Sequence, residues 1–282
     1  SSNNGAVKIC APLDETDWTP LNGAAEIVVG DTITGLASWR NQLIIFCNSA
    51  IYKIVGNSTD PTSATPFTLQ SVTHNIGCAV GATIQEINGD LLFLSQDGLR
   101  TISGTFNIGD TEIASVSRPI QDIVSQINCV SHPLHSLVVA RKTQYRLFYP
   151  DHGVEDDIDA RGIIGGIRRF RDGHEAWEWG ELKGIRPSCA TSGYLADDQE
   201  YILHGGFDGY VYREEIGSTF NGVAINESYT TVPLELGDEG FRKAVQRVTL
   251  LFKSEGNIDT LYLQTIYDYN NPGIVVSSPI VI

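Results

Sequence analysis

Methionine is missing from all 282 residues, so the chain is expected to be a piece of a longer polypeptide, cut at both ends. The opening Ser1-Ser2-Asn3-Asn4-Gly5 reads as a flexible loop without the charged and apolar regions of a signal peptide. The closing apolar stretch from Val275 to Ile282 breaks off like a strand in mid-pattern. No apolar run approaches the roughly 18 residues that a membrane-spanning helix needs. Basic residues are scarce as well, 19 against 34 acidic ones, for a net charge of -15. That balance argues against binding nucleic acid by phosphate neutralisation, which needs clustered lysine and arginine. The one basic cluster, Arg168, Arg169 and Arg171, stands among acidic residues and reads as a solvated loop. A negative wall still suits a conduit for DNA, because like-charge repulsion keeps the cargo from sticking.

The signatures of chemistry are missing too. There is no Gly-x-Ser-x-Gly elbow and no phosphate loop of the Gly-x-x-x-x-Gly-Lys type. Cys10, Cys47, Cys78, Cys129 and Cys189 are odd in number, widely spaced and free of any Cys-x-x-Cys pair, which speaks against a zinc site and a dense disulfide framework. Cys47 lies in an apolar strand pattern and is expected to be a buried small hydrophobe. A reducing cytoplasm during synthesis is the natural setting for such thiols. Of the six histidines (His74, His132, His135, His152, His174 and His204), His132 and His135 flank Pro133 in a loop, without the helical spacing of a metalloprotease pair.

What is present is glycine, 28 residues of it, with 11 prolines and 11 tyrosines. This mixture favours many short strands joined by tight turns, an all-β fold. An internal repeat gives the architecture. Arg40-Asn41-Gln42-Leu43-Ile44-Ile45-Phe46-Cys47 running on to Ile54 aligns without gaps on Asn88-Gly89-Asp90-Leu91-Leu92-Phe93-Leu94-Ser95 running on to Ile102. Each copy is an apolar strand, a polar turn and a second strand, and Asp97-Gly98 suits a hairpin. Weaker copies run from Ser136 to Phe148 and from Glu200 to Tyr212, the last with its own Asp208-Gly209 turn. Strand-like stretches precede them, as in Gly35 to Trp39 and Ala82 to Ile87. A multi-strand unit recurring in this way fits the blades of a β-propeller, four or five of them visible, with closure completed by missing chain. The continuous apolar strands are then the blade centres, covered on both faces.

These signals divide the chain into an incoming segment over 1–31, propeller blades over 32–216 and a β-rich platform region over 217–282. In the last, the Leu234 to Gly240 stretch precedes strands expected over Phe241 to Phe252 and Asp259 to Asp268. Asp17-Trp18-Thr19-Pro20 reads as a turn.

Four groups invite a chemical reading and none keeps it. Asp97 and Asp208 occupy equivalent turns of different blades, too far apart for the paired carboxylates of a glycosidase, and read as turn-formers. The propeller-glycosidase turn Ser-x-Asp-x-Gly-x-Thr-x-Trp is not matched by Ser95 to Thr101. The acidic run Asp151 to Asp159 is dense enough for calcium but lacks the order of an EF-hand loop. Trp177 and Trp179 are expected to split between the blade core and the surface, where one presents an aromatic face to a sugar or a protein. Asn57-Ser58-Thr59 and Asn226-Glu227-Ser228 match the short glycosylation pattern, which arises often by chance. No catalytic, cofactor-binding or metal-ligating residue is assigned, and the chain is expected not to be an enzyme.

Several segments in order resemble the tail nozzle and hub proteins of short-tailed bacteriophages, the tail tubular protein B or DNA-stabilisation family. They are Asp14 to Trp18, Ile33 to Leu43, Ile51 to Ile54, Asn75-Ile76-Gly77-Cys78, the Leu92 to Leu99 hairpin, Ala176-Trp177-Glu178-Trp179 and Pro233 to Phe252. The resemblance spans Asp14 to Asp268, and its specificity lies in the order of the set, not in any one motif. It implies a homo-hexameric ring docked beneath a portal-adaptor ring, with tail fibre proteins as further partners and a virion tail assembled in the bacterial host cytoplasm. Members of this family hold packaged DNA and let it pass on infection. A carbohydrate- or receptor-binding propeller is the alternative.

Overall fold

The computed structural model describes residues 5–11, 13–56, 67–107, 115–127, 133–149, 161–173 and 175–217, and then 219–220, 222–225, 228–231, 234, 237, 247–251, 261–266 and 280–281. The chain divides into two compact units, Ser1–Glu215 and Ile216–Ile282. The described residues are mostly β-strand, arranged in several antiparallel sheets.

The first unit opens with a two-stranded sheet of β1 (Ala6–Ile9) and β2 (Ala25–Val28). Four meanders follow in chain order. The first joins β3 (Ile33–Trp39), β4 (Gln42–Cys47), β5 (Ile51–Gly56) and β6 (Phe67–Thr73). The second joins β7 (Gln85–Ile87), β8 (Asp90–Ser95) and β9 (Gly98–Thr101), and continues into the short helix α1 (Ile102–Asn107) and later α2 (Gln121–Val124). The third joins β10 (His135–Val139), β11 (Gln144–Tyr149), β12 (Arg161–Arg169) and β13 (Glu175–Lys183), and the fourth β14 (Cys189–Tyr194), β15 (Glu200–Gly205) and β16 (Val211–Arg213).

Period-two alternation explains the continuous apolar runs. In β4, Ile44 and Phe46 face the second meander, while Ile45 and Cys47 face β1 and β2. In β8, Leu91 and Phe93 face back to the first meander, and Leu92 and Leu94 face the third. On β11, Tyr145 and Leu147 look to the second meander and Phe148 to the fourth, where it meets Ile202. The sheets therefore stack face to face, and β4, β8 and β11 are buried on both sides. At about 25 cal/mol per Å² of apolar surface removed from water, this double burial is the main force ordering the stack.

The repeat is real in three dimensions. Arg40 and Asn41 (φ 48° and 58°) make the β3–β4 turn, and Asn88 with Gly89 (φ 53° and 75°) makes the β7–β8 turn, both left-handed as two-residue hairpins require. The Trp39 indole N–H donates to the Gly89 carbonyl at 2.9 Å, joining the two turns.

Three sequence expectations need correction. The copy over Ser136 to Phe148 is the hairpin of first and second strands (β10–β11), closed through a 3-10 turn at Ala140–Lys142, whereas the other copies join second and third strands. Ala82 to Ile87 is strand only from Gln85. Its first half is a 3-10 turn (Gly81–Thr83), because here the chain crosses so close to the first meander that a Cβ on Gly81 would lie 2.1 Å from the Thr34 carbonyl oxygen. Finally, residues 248–251, expected in strand, form none. Nearer the amino end, a 3-10 turn at Pro20–Asn22 follows Asp17, whose carboxylate accepts the Thr19 N–H at 2.8 Å.

In the second unit, the described residues pair as β17 (Thr219–Phe220) with β18 (Val223–Ala224) and β19 (Tyr262–Leu263) with β20 (Ile280–Val281). Residues 241–246 and 252–260 lie outside the described residues, as do 57–66 and 150–160. Among the described residues no helix is long and apolar enough to cross a membrane.

Candidate functional site

A cleft of about 380 Å³ opens where three meanders meet. The β3–β4 turn supplies Arg40, the β7–β8 turn supplies Asn88 to Asp90, and Thr101, Ser103 and Val116 follow from the second meander. The fourth wall is the β12–β13 hairpin, through Ile167, Glu175, Ala176 and Trp177. That hairpin reaches the cleft because it outruns its neighbour. β11 pairs with β12 only as far as Gln144 opposite Gly166, while β12 and β13 stay paired to Arg169 opposite Glu175.

Its packing has a local cause. Gly165 stands opposite Trp179, and a Cβ there would meet the indole at 2.3 Å, so the missing side chain is what lets the ring lie flat across the strand. The Trp179 N–H then donates to the Val116 carbonyl at 2.8 Å, fixing the hairpin to the second meander. Trp177 stacks on Trp179 with centroids 5.1 Å apart and planes 13° from parallel. Both indoles pack against the core between the second and third meanders. The expected split between core and surface is thus corrected: residues i and i+2 of a strand share one face.

The polar groups of the cleft are held. The Arg40 guanidinium lies 4.2 Å over the buried Trp39 ring. Asp90 accepts hydrogen bonds from the Leu91 N–H at 2.9 Å, the Ser103 N–H at 3.1 Å and the Ser103 hydroxyl. Glu175 accepts from the Arg169 Nε–H at 2.8 Å and from its Nη2. Arg168 pairs with Glu178 at 2.7 Å, so two of the three clustered arginines are matched by carboxylates on the facing strand. Nothing local in the sequence marked Arg40, Asp90 or Glu175, since only the fold brings three turns together.

The other residues singled out earlier lie apart. Asp97 forms a two-point ion pair with Arg100, whose hydrogen bonds hold its carboxyl below the usual range against the opposing effect of burial. Asp208 accepts from the Tyr212 hydroxyl and the Tyr210 N–H, which lower its pKa and shape the β15–β16 turn. The third meander lies between the sheets that carry these two aspartates. His74 meets Tyr52 edge-on at 6.1 Å. His204 Nδ1 lies 3.0 Å from Glu214. His132, His152, His174, Cys129, Asn57-Ser58-Thr59, Asn226, Glu227 and the acidic run lie outside the described residues. No group of three or more His, Cys, Asp or Glu side chains able to hold a metal occurs among the described residues.

A second cavity, about 180 Å³, lies between the third and fourth meanders, lined in part by His135, Phe148, Phe207 and Arg186. Arg186 stacks over Phe207 at 4.8 Å. Desolvation pushes the His135 pKa down, and its Nε2 is buried without a partner among the described residues.

No family model and no curated protein matches the chain. Among solved structures it is similar to an exo-1,5-alpha-L-arabinanase from a bovine ruminal metagenomic library. The identity is 10% and the TM-score 0.24, over 64% of this chain and 76% of that one. The expectation that the chain is not an enzyme is corrected on this finding: the similar structure is an enzyme, and the exclusion is withdrawn. A likeness at that level assigns no activity.

Proposed function

We propose that the first unit is a β-propeller module and that the chain is a structural part of a short-tailed phage tail, of the nozzle or hub class. The observation that supports the propeller half of this reading is how one meander hands over to the next, while the tail half rests on the sequence resemblance. At Ile76-Gly77-Cys78, a segment central to the resemblance, the Cys78 N–H donates to the Cys47 carbonyl and the Ala79 N–H to the Leu94 carbonyl, both at 2.8 Å. The linker thus sews the central strand of one sheet to that of the next. First strands lie side by side (β7 against β10, β10 against β14), as they do when blades converge on a common axis. In this reading the acidic chain, at -15, belongs to a homo-hexameric ring beneath a portal adaptor, past which DNA slides without adhering.

The test is localisation in purified virions with gold-labelled antibody against this chain. Labelling at the distal end of a short tail is expected. Intact particles free of the protein overturn the reading.

A second reading, a carbohydrate- or receptor-binding propeller, is favoured by one observation. The cleft combines an indole platform at Trp177 with fixed polar groups at Arg40, Asp90 and Glu175. A glycan array probed with the intact chain tests it, and a blank array removes the carbohydrate half.

A further inference from the structure

The charges in the three-sheet cleft cancel. Arg40 contributes one positive charge and Asp90 one negative, while Glu175 is neutralised by Arg169. An anionic ligand that pairs with Arg40 also meets the Asp90 carboxylate, and a cationic one that pairs with Asp90 also meets the Arg40 guanidinium, so each attraction is offset by a repulsion. A neutral ligand rich in hydroxyl groups meets neither obstacle. Its hydroxyls can accept from Arg40 and donate to lone pairs that Asp90 and Glu175 still have free, since a carboxylate offers about four acceptor sites.

The aromatic wall adds shape. One ring face of Trp177 rests on Trp179, and the residue lines the cleft. A flat indole beside paired donors and acceptors matches a pyranose, whose C–H face is apolar and whose rim is polar. At about 380 Å³ the cleft lies near the lower end of the roughly 300–1,000 Å³ usual for small-ligand sites, enough for a short saccharide end. The site is also organised before binding: Arg40 on Trp39, Asp90 on Ser103 and Trp177 on Trp179 are each already held, which lowers the ordering cost.

We propose that this cleft binds the end of a neutral saccharide, with a pyranose stacked on Trp177 and its hydroxyls bridging Arg40 to Asp90. The proposal rests on the carbohydrate reading and sharpens it. The experiment is a glycan array matched in neutral, uronic and amino sugars, followed by calorimetric titration of the best neutral ligand into the intact chain. Neutral sugars are expected to bind about tenfold or more tightly than their charged counterparts, the scale of one unpaired charged group. Arg40→Asn keeps a residue suited to the left-handed turn and is expected to weaken binding about tenfold with an unchanged melting curve. Trp177→Phe is expected to weaken it by a smaller factor. Uronic or amino sugars that bind as well as neutral ones overturn the proposal and leave the carbohydrate reading standing. Neutral binding that survives both substitutions moves the site elsewhere and overturns it too. An array with no signal removes both.

Discussion

Gly77 shows how one residue sets the spacing of two sheets. A methyl group there would stand 2.1 Å from the Asn48 carbonyl oxygen and 2.4 Å from that of Cys47, both backbone atoms of the first meander. Backbone cannot yield as a long side chain can, so Gly77→Ala must push the linker away and lose the Cys78-to-Cys47 hydrogen bond. We expect a loss of about 2–4 kcal/mol in urea unfolding. Gly30→Ala is the control for handling errors of the assay, since nothing lies within 4 Å of its Cβ position and only its left-handed φ of 85° is strained. A Gly77→Ala loss no larger than the control's would show that the linker adapts. Cys47 beside it carries a similar lesson: burial raises its thiol pKa to about 11, with the Asp31 charge adding, so it serves as packing and not as a nucleophile.

At the scale of elements, the readable signals were those with a period. The runs Ile44–Cys47 and Leu91–Leu94 announced strands buried on both faces, and the structure divides each run between two cores. The repeat aligned Arg40-Asn41 on Asn88-Gly89, but only the structure shows that both pairs are left-handed turns. What escaped had no local signature. The hairpin over Ser136 to Phe148 resembles its counterparts in pattern, yet occupies a different place in its meander, because strand order within a sheet is set by pairing, not by pattern. The cleft escaped for the same reason, since Arg40, Asp90 and Glu175 meet only when three sheets stack. That stacking can be measured. Phe46 of β4 and Phe93 of β8 meet across the first and second meanders with centroids 5.1 Å apart at 58°. In a Phe46→Leu, Phe93→Leu double-mutant cycle we expect a coupling of about 0.5–1.5 kcal/mol. Additive losses would mean that the sheets are held by area alone.

For the first unit as a whole, the joint between the third and fourth meanders is where acid should act. Arg146, nearly buried on β11, donates to Glu214 at 2.7 Å and also reaches Glu215. Glu215 further accepts from Arg141 at 2.6 Å and pairs with Lys142 at 2.9 Å. Burial pushes the Glu215 pKa up, but hydrogen bonds from Lys142, Arg146 and Arg141 outweigh it and hold the carboxyl at about 2, against an ordinary 4.5. A carboxyl depressed by folding binds its proton more readily in the unfolded chain. Its stabilisation is therefore complete above about pH 4.5 and fades as the pH falls toward 2. Asp97, depressed by Arg100, acts in the same direction from the second meander. Urea midpoints measured at pH 6, 4, 3 and 2.5 should stay level to about pH 4.5 and then drop. In Glu215→Gln the midpoint should be lower at pH 6 and the acid limb shallower, because the group that gains a proton has been removed. An acid limb as steep as in the parent chain would place the sensitivity in other carboxylates. A drop that begins above pH 5 would point instead to His135, whose burial disfavours the charged imidazolium in the folded chain.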